Sequence, residues 1–231
     1  MNSVTLSRKL VAEFLGTALL LAVVVGSGIM AQNLSAGNTA IALLANTIAT
    51  GAGLIALILM FGPLSGAHFN PAVSLIDVLQ KNLTLPVFAL YLVVQILGAF
   101  AGVAAAHWMF ELPSFFASTH VRTGIAQWWS EGIATFGLIA VIISTSRSRP
   151  GVTPFAVAAY ITAAYWFTSS TSFANPAVTL ARAASDTFAG IRPADSLGFI
   201  AAQCSGAVLA YLVFNWLYPL PTSPAQESAE S

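Results

Sequence analysis

The stretch "SFANPAVTLAR" (172–182) opens an apolar run with an Asn-Pro pair and closes it with an arginine. Asparagine is a good helix N-cap and proline suits the first helical position, so the pair marks a helix start at Pro176. A near-copy, "FNPAVSL" (69–75), stands in the first half of the chain. The segments that follow, "NPAVTLARAASD" and "NPAVSLIDVLQKN", hold too few apolar residues to cross a bilayer and have room for about three helical turns each. Both stand between much longer apolar runs.

Those runs fix the solvent. The 231 residues are 57% hydrophobic and 7% charged, whereas soluble domains carry about 25% charged residues. So few charges cannot cover a water-facing surface. Runs at 10–31, 40–61, 86–109, 124–144, 152–169 and 196–218 each approach the length of about 20 residues that spans hydrocarbon. The first run is too long for a secretory signal, contains Glu13 and is followed by further spans. Six spans put both termini on one side. Arg8, Lys9, Lys81, Arg147 and Arg149 fall on that side, and Arg122, Arg182 and Arg192 on the other, which predicts cytoplasmic termini. The zero net charge argues against a nucleic-acid partner. The single cysteine, Cys204, reads as a small buried hydrophobe. The expected channel domain is 1–221, and the polar 222–231 is expected to be a disordered cytoplasmic tail.

The chain repeats internally, over about 8–110 and 122–219. "AEFLGTALL" (12–20) resembles "SEGIATFGL" (130–138), which pairs Glu13 with Glu131. The two Asn-Pro-Ala segments follow, and "QILGAFAG" (95–102) resembles "QCSGAVLA" (203–210). Three spans make one unit, so the second copy enters the membrane inverted, a transport architecture. The two short helices then enter from opposite sides and meet N-terminus to N-terminus. Irregular backbone at that depth requires burial in protein or a watery cavity. Each N-terminus acts as roughly half a positive charge. Asn70 and Asn175 offer amide donors there, while Pro71 and Pro176 can stack. Cations and protons are opposed and neutral molecules are not. Gly98 and Gly102, and also Gly51 and Gly53, permit close helix approach.

These motifs, over essentially the whole chain, resemble the aquaporin superfamily, the major intrinsic proteins. The resemblance implies an all-α membrane protein with six transmembrane helices, two re-entrant half-helices, one pore per protomer and usually a homotetramer. It implies pore motifs at Asn70, Pro71, Ala72 and at Asn175, Pro176, Ala177. Glu13 and Glu131 become structural buried acids holding the re-entrant backbone, where an intramembrane carboxylate otherwise defaults to transport. His68 resembles a pore-lining loop histidine. His107 and His120 read as interfacial or loop residues without metal-ligand company, so neither metal nor cofactor is expected.

The family's outer constriction maps by distance from the motifs onto Thr50, Ala163, Ser172 and Val178, with Ala163 resting on an ungapped count. Relatives usually keep arginine at the last of these. None of the four carries a ring or a charge, which implies a wide, hydroxyl-bearing filter. Arg182, one turn further out than Val178, has two readings: an interfacial arginine paired with Asp186, or a positive vestibule. The resulting expectation is a passive channel in a bacterial inner membrane for water and small neutral solutes. Glycerol-like polyols and undissociated metalloid hydroxides such as arsenous acid fit, in keeping with a resemblance to arsenic-associated bacterial channels. A water-selective aquaporin and an ion-coupled inverted-repeat carrier are the alternatives. No catalytic constellation points to an enzyme.

Overall fold

The computed structural model describes residues 4–219. Among these, the helices in chain order are α1 (Leu6–Leu34), α2 (Thr39–Ser65), α3 (Pro71–Leu79), α4 (Leu85–Met109), α5 (Ile125–Ser148), α6 (Thr153–Phe167), α7 (Pro176–Arg182) and α8 (Ser196–Leu217). Single 3₁₀ turns at Pro150–Val152 and Pro193–Asp195 lead into α6 and α8. The expected tail at 222–231 lies outside the described residues. The all-helical membrane fold expected from the sequence is the one observed.

Among the described residues, five helices are long and apolar enough to cross a membrane. The span expected at 152–169 is the short one. Its helix α6 has 15 residues, about 22 Å at the usual rise and less than the hydrocarbon thickness of about 30 Å. Pro154 fixes its start, and Thr168 turns extended at its end. The chain leaves the helix there to begin the second re-entrant loop.

The two halves are built alike. α1 packs along α4 as α5 packs along α8, and the short helices α3 and α7 each rest against both α4 and α8. α2 and α6 pack on each other and join the halves. Gly98 lies so close to the carbonyl of Phe14 that a Cβ would collide with it, and Gly206 stands in the same relation to Gly132. These are the same repeat positions, and the close approach is what glycine provides to membrane helices.

Outside, the molecule is oily. Val11, Leu15, Ile48, Leu97 and Leu212 are exposed, as a lipid-facing surface requires. All five tryptophans (Trp108, Trp128, Trp129, Trp166 and Trp216) are also exposed and stand near helix ends, where amphipathic rings anchor at the interface. Two sequence readings change. Cys204 is only part-buried. His107 is not a loose interfacial residue but fully buried. Its Nδ1 lies 2.9 Å from the carbonyls of Pro113 and Ser114, and its Nε2 lies 2.8 Å from Ser185 Oγ. It ties α4 to both loops of the face opposite the termini.

Candidate functional site

The two re-entrant loops meet at their asparagines. Asn70 Oδ1 caps α3 by accepting from Ala72 N at 2.9 Å. Asn175 Oδ1 caps α7 by accepting from Ala177 N at 3.0 Å and Val178 N at 3.2 Å. Each amide nitrogen then crosses to the other loop. Asn70 Nδ2 donates to Ala174 O and Asn175 Nδ2 donates to Phe69 O, both at 2.8 Å. One hydrogen of each amide therefore locks the loops together, and only the second remains for a molecule in the lumen. This refines the expectation that both amides donate into the lumen.

The loops are conformationally costly. Phe69 and Ala174 have φ of +49° and +48°, and Ala67 and Ser172 have +51° and +53°. The left-handed region costs a non-glycine residue about 1–2 kcal/mol. These are matching steps of the repeat, one and three residues before each asparagine. The compensation comes from the two buried glutamates. Glu13 Oε1 accepts from Ser65 Oγ (2.6 Å) and His68 N (2.9 Å), and its Oε2 from Phe69 N (2.7 Å) and Gln95 Nε2 (2.8 Å). Glu131 accepts from Phe173 N and Ala174 N at 2.8 Å and from Gln203 Nε2 at 2.7 Å. Both are wholly buried and neither lines the cavity. Hydrogen bonds to an ionised acceptor are about twice as strong as neutral ones.

A cavity of about 330 Å³ runs past the meeting point. Asn70 and Asn175 line it, as do His68, Thr50, Ser172 and Val178. Pro71, Ala72, Pro176 and Ala177 are buried behind them and are not among the lining residues. Ala163 is not brought to the cavity: it is exposed on the outside of α6. Tyr165, two residues later, takes the lumen position, with its hydroxyl 3.3 Å from Thr50 Oγ1. The ungapped count fails because the ending of α6 depends on loop geometry, which residue spacing does not carry. Ser172 Oγ is buried and has no hydrogen-bond partner.

Of the two readings of Arg182, the lumen-facing one is observed and the pairing with Asp186 is not. Arg182 is 3% exposed. Asp186 instead accepts from Thr119 N at 2.8 Å and Thr119 Oγ1 at 2.9 Å. The Arg182 Nε donates to Ala189 O, and the guanidinium carbon sits 3.4 Å from the centre of the Phe173 ring. Neither terminal nitrogen has a protein acceptor among the described residues. Helical side chains lean toward the N-terminus of their helix, so the long side chain recovers the depth that its backbone gives up. Arg182 thus lines the same cavity as Ser172 and Val178. The outer end, which the four mapped positions leave without ring or charge, contains both: Tyr165 and Arg182. Asp77 also lines the cavity at its other end.

The loops of this end are pinned from above by the connector 110–124. Arg122 Nε donates to Gly190 O at 2.8 Å and its Nη1 to Ser170 O at 3.2 Å. Phe116 N and Ser118 N donate to the carbonyls of Ala184 and Ala183.

The profile of the family described as "Major intrinsic protein" matches residues 1–172. The chain is 57% identical over 217 residues to aquaglyceroporin AqpS of Rhizobium meliloti (strain 1021), covering 94% of this chain and 93% of that protein. It is 30% identical over 152 residues to aquaporin NIP6-1 of Arabidopsis thaliana, 65% of this chain and 48% of that one. The X-ray structure of the aquaglyceroporin from Plasmodium falciparum superposes with a TM-score of 0.64 at 21% identity, over 91% of this chain and 96% of that chain. That likeness speaks for the fold. A profile match over most of the chain, joined to paired capped half-helices around one cavity, decides the family. The chain belongs to the major intrinsic proteins and is an integral membrane channel for water and small solutes, not an enzyme.

Proposed function

We propose that this channel passes glycerol-sized polyols and undissociated metalloid hydroxides such as arsenous acid, together with water. One observation carries the reading: the position directly after Ala177 holds Val178, and it faces a lumen with both apolar and hydrogen-bonding walls. Leu54, Val178 and Ile161 supply apolar surface, while Thr50, Tyr165 and Ser172 supply hydroxyls. A polyol presents carbon on one side and hydroxyls on the other, and such a lining solvates both. AqpS is named an aquaglyceroporin, which supports the same class. Proposed sites are the two Asn-Pro-Ala motifs at the centre, Thr50, Tyr165, Ser172 and Val178 at the filter with Arg182 beside them, and His68 towards the other mouth.

The specific observation favouring a narrower, water-selective channel is the Tyr165 ring with Arg182 at the outer end. Stopped-flow light scattering of proteoliposomes separates the two. The polyol reading expects glycerol and arsenous acid uptake well above that of empty vesicles. High water flux with neither uptake would defeat it. Uptake against a gradient would instead point to a coupled carrier.

The distribution of lysine and arginine supports cytoplasmic termini, and the bacterial relative AqpS supports an inner-membrane setting. The broad exposed apolar faces and the family habit support a homotetramer. Native mass spectrometry in detergent tests that assembly: a monomer alone would overturn it.

A further inference from the structure

The repeat carries a relation beyond its asparagines. Two residues before Asn70 stands His68, and two before Asn175 stands Phe173. Seven residues after the same asparagines stand Asp77 and Arg182. In each half these two side chains meet. His68 Nε2 lies 3.6 Å from Asp77 Oδ2, and the Arg182 guanidinium carbon lies 3.4 Å from the Phe173 ring centre. All four residues line the one cavity. Each mouth therefore holds a ring and a charge at equivalent positions, and the charges are opposite.

The consequences for ions follow from Coulomb's law. Along the lumen stand Arg182 near one end, the two positive helix N-termini in the middle, and Asp77 near the other end. Among the described residues, the lining holds no other Asp, Glu, Lys or Arg. A cation meets repulsion from Arg182 and again at the centre. An anion is attracted at both places, and Asp77 is the one lining charge that opposes it, beyond the desolvation that any ion meets. Asp77 is free to act in this way. Its side chain is 25% exposed, and its Oδ1 accepts from Asn82 Nδ2 at 2.9 Å. No Lys or Arg pairs with it among the described residues. Arg147, in the last turn of α5, is engaged with Tyr218 O and Asn215 Oδ1 on α8 and its end. The carboxylate thus faces the mouth, unlike Glu13, whose oxygens are taken up by buried donors.

We propose that Asp77 is the anion barrier of this pore, a specificity-determining residue that the duplication places opposite Arg182. His68 and Asn82 hold its carboxylate at the mouth. Neutral solutes pass both charges, and neither sign of ion passes all three. The inference rests on the channel reading above.

The test compares nitrate with glycerol permeability in the same proteoliposomes. The parent protein is expected to pass glycerol and exclude nitrate. Asp77→Asn and Asp77→Ser are expected to raise the nitrate-to-glycerol ratio at least about tenfold, and Asp77→Glu, which restores the charge, to bring it back down. Gln80→Lys leaves Asp77 in place and sets a counter-charge on the same lining. It is expected to raise the ratio too, and it serves if the first two variants fail to elute as single species in gel filtration. A parental ratio in the folded neutral variants, or in Gln80→Lys, overturns the proposal. A parent that passes neither glycerol nor water overturns the channel reading itself.

Discussion

Glu13 and Glu131 support the two re-entrant loops in the same way but not with the same means. Glu13 receives four donors, one of them Ser65 Oγ at the end of α2, whereas Glu131 receives three. The second loop has help from elsewhere: Arg122 and the connector 110–124 hold it from outside. Below each asparagine the same contrast recurs. Gln95 reaches Ser74 Oγ, which meets His68, while Gln203 reaches Thr179 Oγ1, which donates to the carbonyl of Asn175. The duplicated part is the support of the backbone, which a pore centre cannot relinquish. Among the lumen-facing residues the asparagines and the pair Val73 and Val178 are kept, whereas His68 and Phe173, and Asp77 and Arg182, differ between the halves.

The largest effect should come from removing the carboxylates. Truncating one partner of a buried charged network costs about 3–5 kcal/mol. Glu13→Ala orphans one more donor than Glu131→Ala, so it should be the worse by about 1 kcal/mol. Thermal unfolding in detergent measures both, and equal losses would break the asymmetry described here. Next comes Val178→Arg, which adds a second guanidinium to the outer end. Glycerol uptake should fall about tenfold, equivalent to about 1.4 kcal/mol, with water flow changed far less. Unchanged glycerol uptake would remove Val178 from the constriction.

A smaller effect sharpens the comparison of the caps. Asn175 Oδ1 caps two backbone N–H groups and Asn70 Oδ1 caps one. Asn175→Ala should therefore destabilise more than Asn70→Ala, each by about 1–2 kcal/mol, as read by the same unfolding assay. The smallest concerns the outer tether, which the first half lacks. The Thr119 N–H and hydroxyl hold the Asp186 carboxyl below the usual carboxylate range. A depressed group stabilises fully above its unfolded value of about 3.9, and that stability is lost as pH falls through the folded value. The melting difference between parent and Asp186→Asn should thus be the same at about pH 7 and pH 5 and shrink only below about pH 4. A difference that already changes between the two higher values would assign the tether to another group.

The sequence by itself determined five of the long spans, the duplication, both caps and the matching of Glu13 with Glu131, while the family resemblance supplied their role on the re-entrant loops. These are local or repeated signals: Asn-Pro starts a helix wherever it stands, and a motif found twice in order carries its own control. Only the tertiary structure decided which residues share the lumen. Tyr165 replaces Ala163 because the end of α6 and the path of 168–175 set the facing, and counting along the chain cannot see a rotation. Arg182 returns to the cavity because a long side chain leans back along its helix and finds Phe173, a contact between residues nine apart on different elements. His107 is buried because the connector following α4 and the distant loop after α7 close over it. Depth along a helix is written in the sequence, since each residue adds a fixed rise. What a side chain meets there depends on packing between elements, and that exists only once the chain has folded.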